Sequence, residues 1–384
     1  MSDYDYIAHM VCAGEKVRRE RVFFRRWQVV KQFEKSVREA IHHGVVIPAS
    51  PLALDRERRF DEQRQRALFR YYLDAGAGGI AVGMHFTQFE IRRPGIDLYE
   101  PVLRICLEEV DAYVKRTGQP KAKIAGINGR LPEALKQAAL ARQLGFDYAI
   151  VSMAALQGCL EPEMLYHMRE LAKVMPLFAF YLPVAMGGVS LPMSFWQRLM
   201  EIENIHGIKI APFNDYATLD VVRALAESDR ADDIVLYTGN DNSIVKDLVT
   251  PFRFGEGSKA RTVRIRGGLL GQWACWTRRA VELLERIHGL VDSGAAIPNE
   301  TWTLAAQITD ANGAIFDAAH NYAGSIPGIN EILRRQGLLA GIWTLKRDEV
   351  LSPGQTEEID RVCAAYPHLN DDEFVKQNLD RWLA

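Results

Sequence analysis

Ile205-His206-Gly207-Ile208-Lys209-Ile210-Ala211-Pro212-Phe213-Asn214 is a short apolar run with a lysine at its centre. Strand side chains alternate between two faces, so with Ile208 and Ile210 on one face Lys209 projects from the other, between apolar walls. In a parallel sheet both faces are covered, and a lysine held there must be paired, deprotonated or functional. The competing reading is a lysine at a strand end whose ammonium snorkels to water.

Working outward, short β-branched runs alternate with longer amphipathic ones. The expected strands are Val45-Val46-Ile47, Gly79 to Val82, Ala122 to Ala125, Tyr148 to Val151, Leu177 to Tyr181, Gly207 to Ala211, Ile234 to Tyr237 and Thr262 to Ile265. Helical stretches such as Pro132 to Leu144, Glu161 to Met175 and Cys275 to His288 separate and follow them. Eight such β/α units in about 250 residues predict an α/β fold, a (β/α)8 TIM barrel, over residues 41–290. A doubly wound open sheet alternates too, but it usually closes with fewer strands and carries a nucleotide fingerprint. Gly76-Ala77-Gly78-Gly79 is not that fingerprint, because it follows a helix and precedes a strand, the order of a helix stop.

Residues 1–40 read as an N-terminal helical extension. Its run Arg18-Arg19-Glu20-Arg21-Val22-Phe23-Phe24-Arg25-Arg26-Trp27 suits a helix packing its aromatics better than an RNA contact. Residues 291–384 read as a C-terminal helical region, with helices at Thr301 to Asn321, Gly328 to Gly337 and Thr356 to Tyr366.

The chain has 384 residues, 48% hydrophobic and 25% charged, with a net charge of -2, so no global attraction to nucleic acid or anionic membrane is expected. The start is polar, and no apolar run is long enough to span a bilayer; a cytoplasmic location is expected. Five scattered cysteines without a C-x-x-C pair read as buried free thiols. Adjacent His42 and His43 lack ligand spacing, so neither a metal nor any other cofactor is expected.

In such barrels the working face lies at the C-terminal ends of the strands. Reading along these ends gives Pro48 and Ser50, His85 and Thr87, Asn128 and Arg130, Ser152, Tyr181, Lys209, Asn240 and Asp241, then Arg266 with Gly267 and Gly268. No carboxylate pair stands out, which argues against glycosidase chemistry, and no Ser/His/Asp set does. What remains is Tyr181 and Lys209 on neighbouring strands. A desolvated lysine amine has a lowered pKa and condenses with a ketone to a Schiff base; a nearby phenol can shuttle the proton.

Phe180-Tyr181-Leu182-Pro183-Val184-Ala185-Met186-Gly187-Gly188-Val189 followed by Gly207-Ile208-Lys209 resembles the dihydrodipicolinate synthase / N-acetylneuraminate lyase family of class I aldolases. Val45 to Pro48, Ala125 to Asn128 and Gly239-Asn240-Asp241 are similar to the family's first, third and seventh strands. The resemblance implies Lys209 as the residue forming a Schiff base with pyruvate or another 2-oxo acid, and Tyr181 as the proton relay. It implies Thr87, His85, Asn128, Arg130, Asp241 and Gly268 as substrate contacts, and a homo-oligomer, tetramer or dimer.

The departures bear on the substrate. Gly83-Met84-His85-Phe86-Thr87-Gln88-Phe89-Glu90 keeps one hydroxyl where the family has two, so His85 is a candidate substitute donor. Ser152 to Ala155 lacks the synthases' tyrosine pair, and Met186 stands near the place of their arginine. The expected activity is therefore aldol or retro-aldol cleavage or condensation other than lysine biosynthesis. A sugar-acid dehydratase, an aromatic hydratase-aldolase using the same iminium, and a non-catalytic oxo-acid-binding barrel are the alternatives.

Overall fold

The structure, a computed structural model, describes residues 35–384. The expected extension over 1–40 therefore lies outside the described residues except for its end, where Lys35–His43 forms helix α1.

The barrel strands are β1 (Val46–Pro48), β2 (Gly79–Val82), β3 (Ala122–Ile127), β4 (Tyr148–Ser152), β5 (Leu177–Tyr181), β6 (Ile205–Ile210), β7 (Val235–Thr238) and β10 (Ile265–Leu270). Between them run α2 (Glu62–Asp74), α3 (Tyr99–Thr117), α4 (Leu131–Leu144), α5 (Glu161–Ala172), α6 (Met193–Met200), α7 (Asp215–Glu227) and α8 (Ile244–Val249). Helix starts follow local chemistry: Asp61 caps α2 by accepting the Arg64 amide, and Asn214 caps α7 by accepting the Ala217 amide. The C-terminal end of α4 needs a left-handed residue, supplied by Gly145 at φ 106°.

The eight strands are parallel, in the order β1-β10-β7-β6-β5-β4-β3-β2. β1 meets β2 through a bridge between Ala49 and Ala81, the Ser50 amide donating to the Ala81 carbonyl at 2.9 Å, which closes the ring. The expected barrel is the observed fold.

Its eighth strand differs from expectation. Thr262 and Val263 belong to β9 (Arg261–Val263), which pairs with β8 (Phe252–Phe254) in an antiparallel hairpin; the barrel strand begins only at Ile265. Gly267 and Gly268 look like loop residues in a sequence because glycine weakens strands. Here they mark close approach: a Cβ on Gly267 would lie 2.7 Å from the Val45 backbone, and one on Gly268 2.5 Å from the Trp273 ring.

The barrel interior is packed in layers. Phe178, Tyr148 and Tyr237 meet edge to face, with centroids 5.1 and 5.7 Å apart. Phe178 occupies the space over Gly207, where a Cβ would come within 2.3 Å of its ring. Tyr237 satisfies its buried hydroxyl by donating to the Ile41 carbonyl and accepting the Val45 amide. This plug fills the lower barrel and leaves chemistry to the layer above.

After the barrel come α9 (Thr277–Ser293), α10 (Asn299–Ile315), α11 (Ser325–Arg335), α12 (Gln355–Ala365) and α13 (Asp372–Leu383). The last was not among the expected helices. It packs on α2, where the Trp382 ring lies 5.4 Å from Tyr71 and its indole donates to Asp74. Asp371 joins three elements: it accepts from the Tyr71 hydroxyl, the Arg278 amide and the Gln336 side chain. Among the described residues, no helix is long and apolar enough to cross a membrane.

Candidate active site

Lys209 is the fifth residue of β6, and its Cα pairs in register with Phe180 on β5 and Tyr237 on β7. Partners in register share a face, so all three point into the barrel. The lysine is 6% exposed, and its Nζ sits 4.2 Å from the centre of the Phe180 ring. Its aliphatic stem runs over Gly239, where a Cβ would come within 2.5 Å of Cε. Among the described residues Nζ makes no hydrogen bond or ion pair. Burial pushes its pKa below the ordinary lysine range, and the Asp241 carboxylate offsets part of that shift. A neutral, nucleophilic fraction is thereby available near neutrality.

Asp241 follows β7 on a braced turn. Its Oδ1 accepts the Gln272 amide at 3.0 Å, and its carbonyl accepts Asn312 Nδ2 from α10 at 2.6 Å. Asn240 beside it accepts the Phe213 amide and donates to Thr218 and to Asp247, which Thr238 also contacts at 2.6 Å. Burial raises the Asp241 pKa, partly countered by the Gln272 amide and by Lys209. The charge state of each of these two buried groups thus depends on that of the other.

Tyr181 is a correction. Its Cα pairs with Ile210, so it projects from the face opposite Lys209. Its ring packs on Trp196 of α6 at 5.0 Å, and its hydroxyl lies at hydrogen-bond limit from the Leu191 backbone, 3.4 and 3.5 Å away. The aromatic that faces the lysine is Phe180, which has no proton to relay.

Thr87 is a second correction. Its hydroxyl donates to the Ser50 carbonyl at 2.7 Å and accepts the Gly83 amide at 2.9 Å, so it braces the loop and has no hydrogen left for a carboxylate. Gly268 lies inside β10, with its amide on the Val45 carbonyl and Trp273 over its Cα, and it presents nothing to a substrate. Arg266 is exposed near the start of β10, at the end of the barrel away from the mouth.

His85 lies near enough to Lys209 to feel its charge. It is half-buried, its Nε2 is shielded and unpartnered, and it lies edge-on to Phe86 and Phe89. Burial, then the charges of Lys209 and Lys346, take its pKa down to about 4, so it is a neutral imidazole at pH 7. Asn128 is gripped through its backbone by Gln137, leaving its Oδ1 buried and unpartnered. Arg130 is exposed and donates to Cys159 Sγ at 3.3 Å.

Two residues of the site escaped the sequence reading. Phe180 stands next to Tyr181 on one strand, and only the pairing of β5 with β6 shows which of the two faces Lys209. Tyr322 lies beyond α10 in a loop, at φ 68°. Its ring packs on Phe213 at 5.2 Å, and burial followed by the Asp241 charge raises its hydroxyl pKa.

A closed ring of eight parallel strands with a lysine buried at its mouth defines the class of fold first, a (β/α)8 barrel. The sequence model of the Dihydrodipicolinate synthetase family matches residues 43–253, and the chain belongs to this family of class I aldolases and lyases. No curated protein sequence matches the chain. Among solved structures, it is similar to dihydrodipicolinate synthase from Cyanidioschyzon merolae with lysine bound, at 19% identity and TM-score 0.67, covering 85% of this chain and 99% of that one. The dihydrodipicolinate synthase of Oceanobacillus iheyensis gives 16%, 0.66, 85% and 97%. The N-acetylneuraminate lyase of Fusobacterium nucleatum complexed with pyruvate gives 17%, 0.64, 86% and 99%.

Proposed function

We propose that the protein is a class I lyase in which Lys209 forms a Schiff base with pyruvate or another 2-oxo acid. The observation that carries this reading is the buried, unpaired Lys209 amine, seated over Gly239 at the barrel mouth with a lowered pKa. The neutral amine attacks the keto carbon, the carbonyl oxygen leaves as water, and a protonated imine remains. This iminium accepts the electron pair of a C–H or C–C bond broken next to it, giving an enamine; the reverse sequence makes the bond. His85 Nε2 and the Asn128 Oδ1 are the unpartnered polar atoms available to orient the acid or its aldehyde partner. Pyruvate is the first candidate because a structural neighbour of this chain is complexed with it.

The test is borohydride reduction in the presence of pyruvate and a panel of 2-oxo acids, read by peptide mass spectrometry. An adduct on Lys209 that disappears in Lys209→Ala is expected. Absence of any adduct sinks the reading. Product analysis on aldol, sugar-acid and aromatic substrates then separates lyase, dehydratase and hydratase-aldolase activities. Phe180 in the relay position favours a second reading, a barrel that captures an oxo acid without turnover. That protein forms the adduct but releases no cleavage product. The working unit in either case is proposed as a homo-oligomer, tetramer or dimer, in the cytoplasm.

A further inference from the structure

We infer that Asp241 is the catalytic residue that moves the proton between solvent and the carbon adjacent to the imine, in the place that Phe180 leaves without a phenol. The inference rests on Lys209 forming the Schiff base. An iminium becomes an enamine only if a base takes the proton from the neighbouring carbon. The C–H bond then breaks into the new C=C bond, the nitrogen recovers its electron pair and loses its charge, and the base is left protonated. Bond formation or final release runs the same transfer backward, so no other reactant is required.

The groups that carry protons around the lysine are few among the described residues. Phe180 and Tyr237, its partners in register, contribute none to the mouth: one has no hydroxyl, and the other engages its hydroxyl with Ile41 and Val45 below. Burial and the charges of two lysines lower the proton affinity of His85, which makes it a weaker base than Asp241, whose proton affinity burial raises. Glu90 is engaged by Lys346 at 3.2 Å and Arg93 at 3.3 Å. Tyr322 packs on Phe213, and burial and the Asp241 charge raise its hydroxyl pKa, so its phenol stays protonated and is no base.

Asp241 is buried beside the lysine, close enough that each shifts the other's proton affinity. It is 5% exposed and follows by two residues the Gly239 over which the lysine stem lies. Gln272 fixes one carboxylate oxygen, and the other meets no donor from another described residue. The bond from Asn312 to its carbonyl keeps the turn from swinging away. Burial raises its proton affinity toward neutrality, the range in which one carboxyl both accepts and returns a proton efficiently.

The experiment uses full-length enzyme with pyruvate in D2O. Loss of the methyl proton signal is followed by NMR, and borohydride trapping of Lys209 is followed in parallel by mass spectrometry. Asp241→Asn is expected still to form the trapped pyruvate adduct on Lys209 while exchanging its methyl protons at least ~100-fold more slowly than it traps, relative to the parent. Adding Phe180→Tyr to that variant is expected to restore part of the exchange, which a merely structural role for Asp241 would not permit. Exchange in Asp241→Asn within about threefold of the parent overturns the inference. So does loss of trapping in Asp241→Asn, because the carboxylate then serves the lysine and not the substrate. Absence of trapping in the parent enzyme refutes the Schiff-base reading itself, and this inference falls with it.

Discussion

Replacing Gly239 by alanine tests the seating of the lysine with one methyl group. The new Cβ would stand 2.5 Å from Lys209 Cε, 3.1 Å from its Cγ and 2.8 Å from Ala211 Cβ. Carbon atoms pack at about 3.5 Å or more, so the overlap with the stem is about 1 Å. Cε belongs to a flexible side chain and yields, carrying Nζ with it; Ala211 yields only by moving backbone. Displacement of a reacting group by about 1 Å costs on the order of 100-fold in rate, or about 2.7 kcal/mol of activation free energy. Overpacking at Ala211 adds a stability loss of about 1–3 kcal/mol. The assay is the rate of borohydride-trapped adduct with pyruvate, alongside urea unfolding. Gly289→Ala is the control, since a Cβ there meets nothing within 4 Å. It is expected to leave trapping unchanged. Trapping by Gly239→Ala at the parent rate would refute the argument that this glycine makes room for the nucleophile.

Two further outcomes follow from the same geometry. Tyr181→Phe is expected to change turnover by less than about threefold, because the hydroxyl faces Leu191 on the other side of β5; a fall of 100-fold or more in steady-state assays would return the tyrosine to the site. Acid stability carries a signature of His167, whose ring nitrogens are buried without partners and whose pKa burial lowers from 6.5 to about 4. The unfolded chain takes up a proton below pH 6.5 that the folded one refuses until about pH 4. Stability is therefore lost as pH falls through that window, by up to about 3 kcal/mol from this residue. In urea titrations His167→Leu should show a correspondingly smaller loss between pH 6.5 and 4, and an unchanged loss would contradict the assignment.

The barrel was legible because its strands are apolar runs spaced by amphipathic ones. It failed locally at Gly267-Gly268, where close packing against Val45 and Trp273, not turn geometry, explains the glycines. Lys209 stood out because an inward lysine breaks the pattern of its own strand. Tyr181 was misassigned by one position, and in a strand one position is the whole difference between the two faces. With two aromatics in succession, composition cannot choose between them; the pairing of Phe180 with Lys209 does. Thr87 kept the residue type of a substrate donor, but the fold turned its hydroxyl onto Ser50 and Gly83. Tyr322 had no signal at all, since its place depends on how the chain returns after α10.

The bond from Asn312 to the Asp241 carbonyl, with the Gln272 amide on the side chain, gives the site an order of assembly. During synthesis the lysine and the turn beside it leave the ribosome well before the two residues that brace that turn. A nascent chain that ends between positions 272 and 312 carries every barrel strand yet lacks the clamp on the Asp241 carbonyl. Lys209 thus stays without its finished surroundings until Asn312 has been made and has docked on the Asp241 turn.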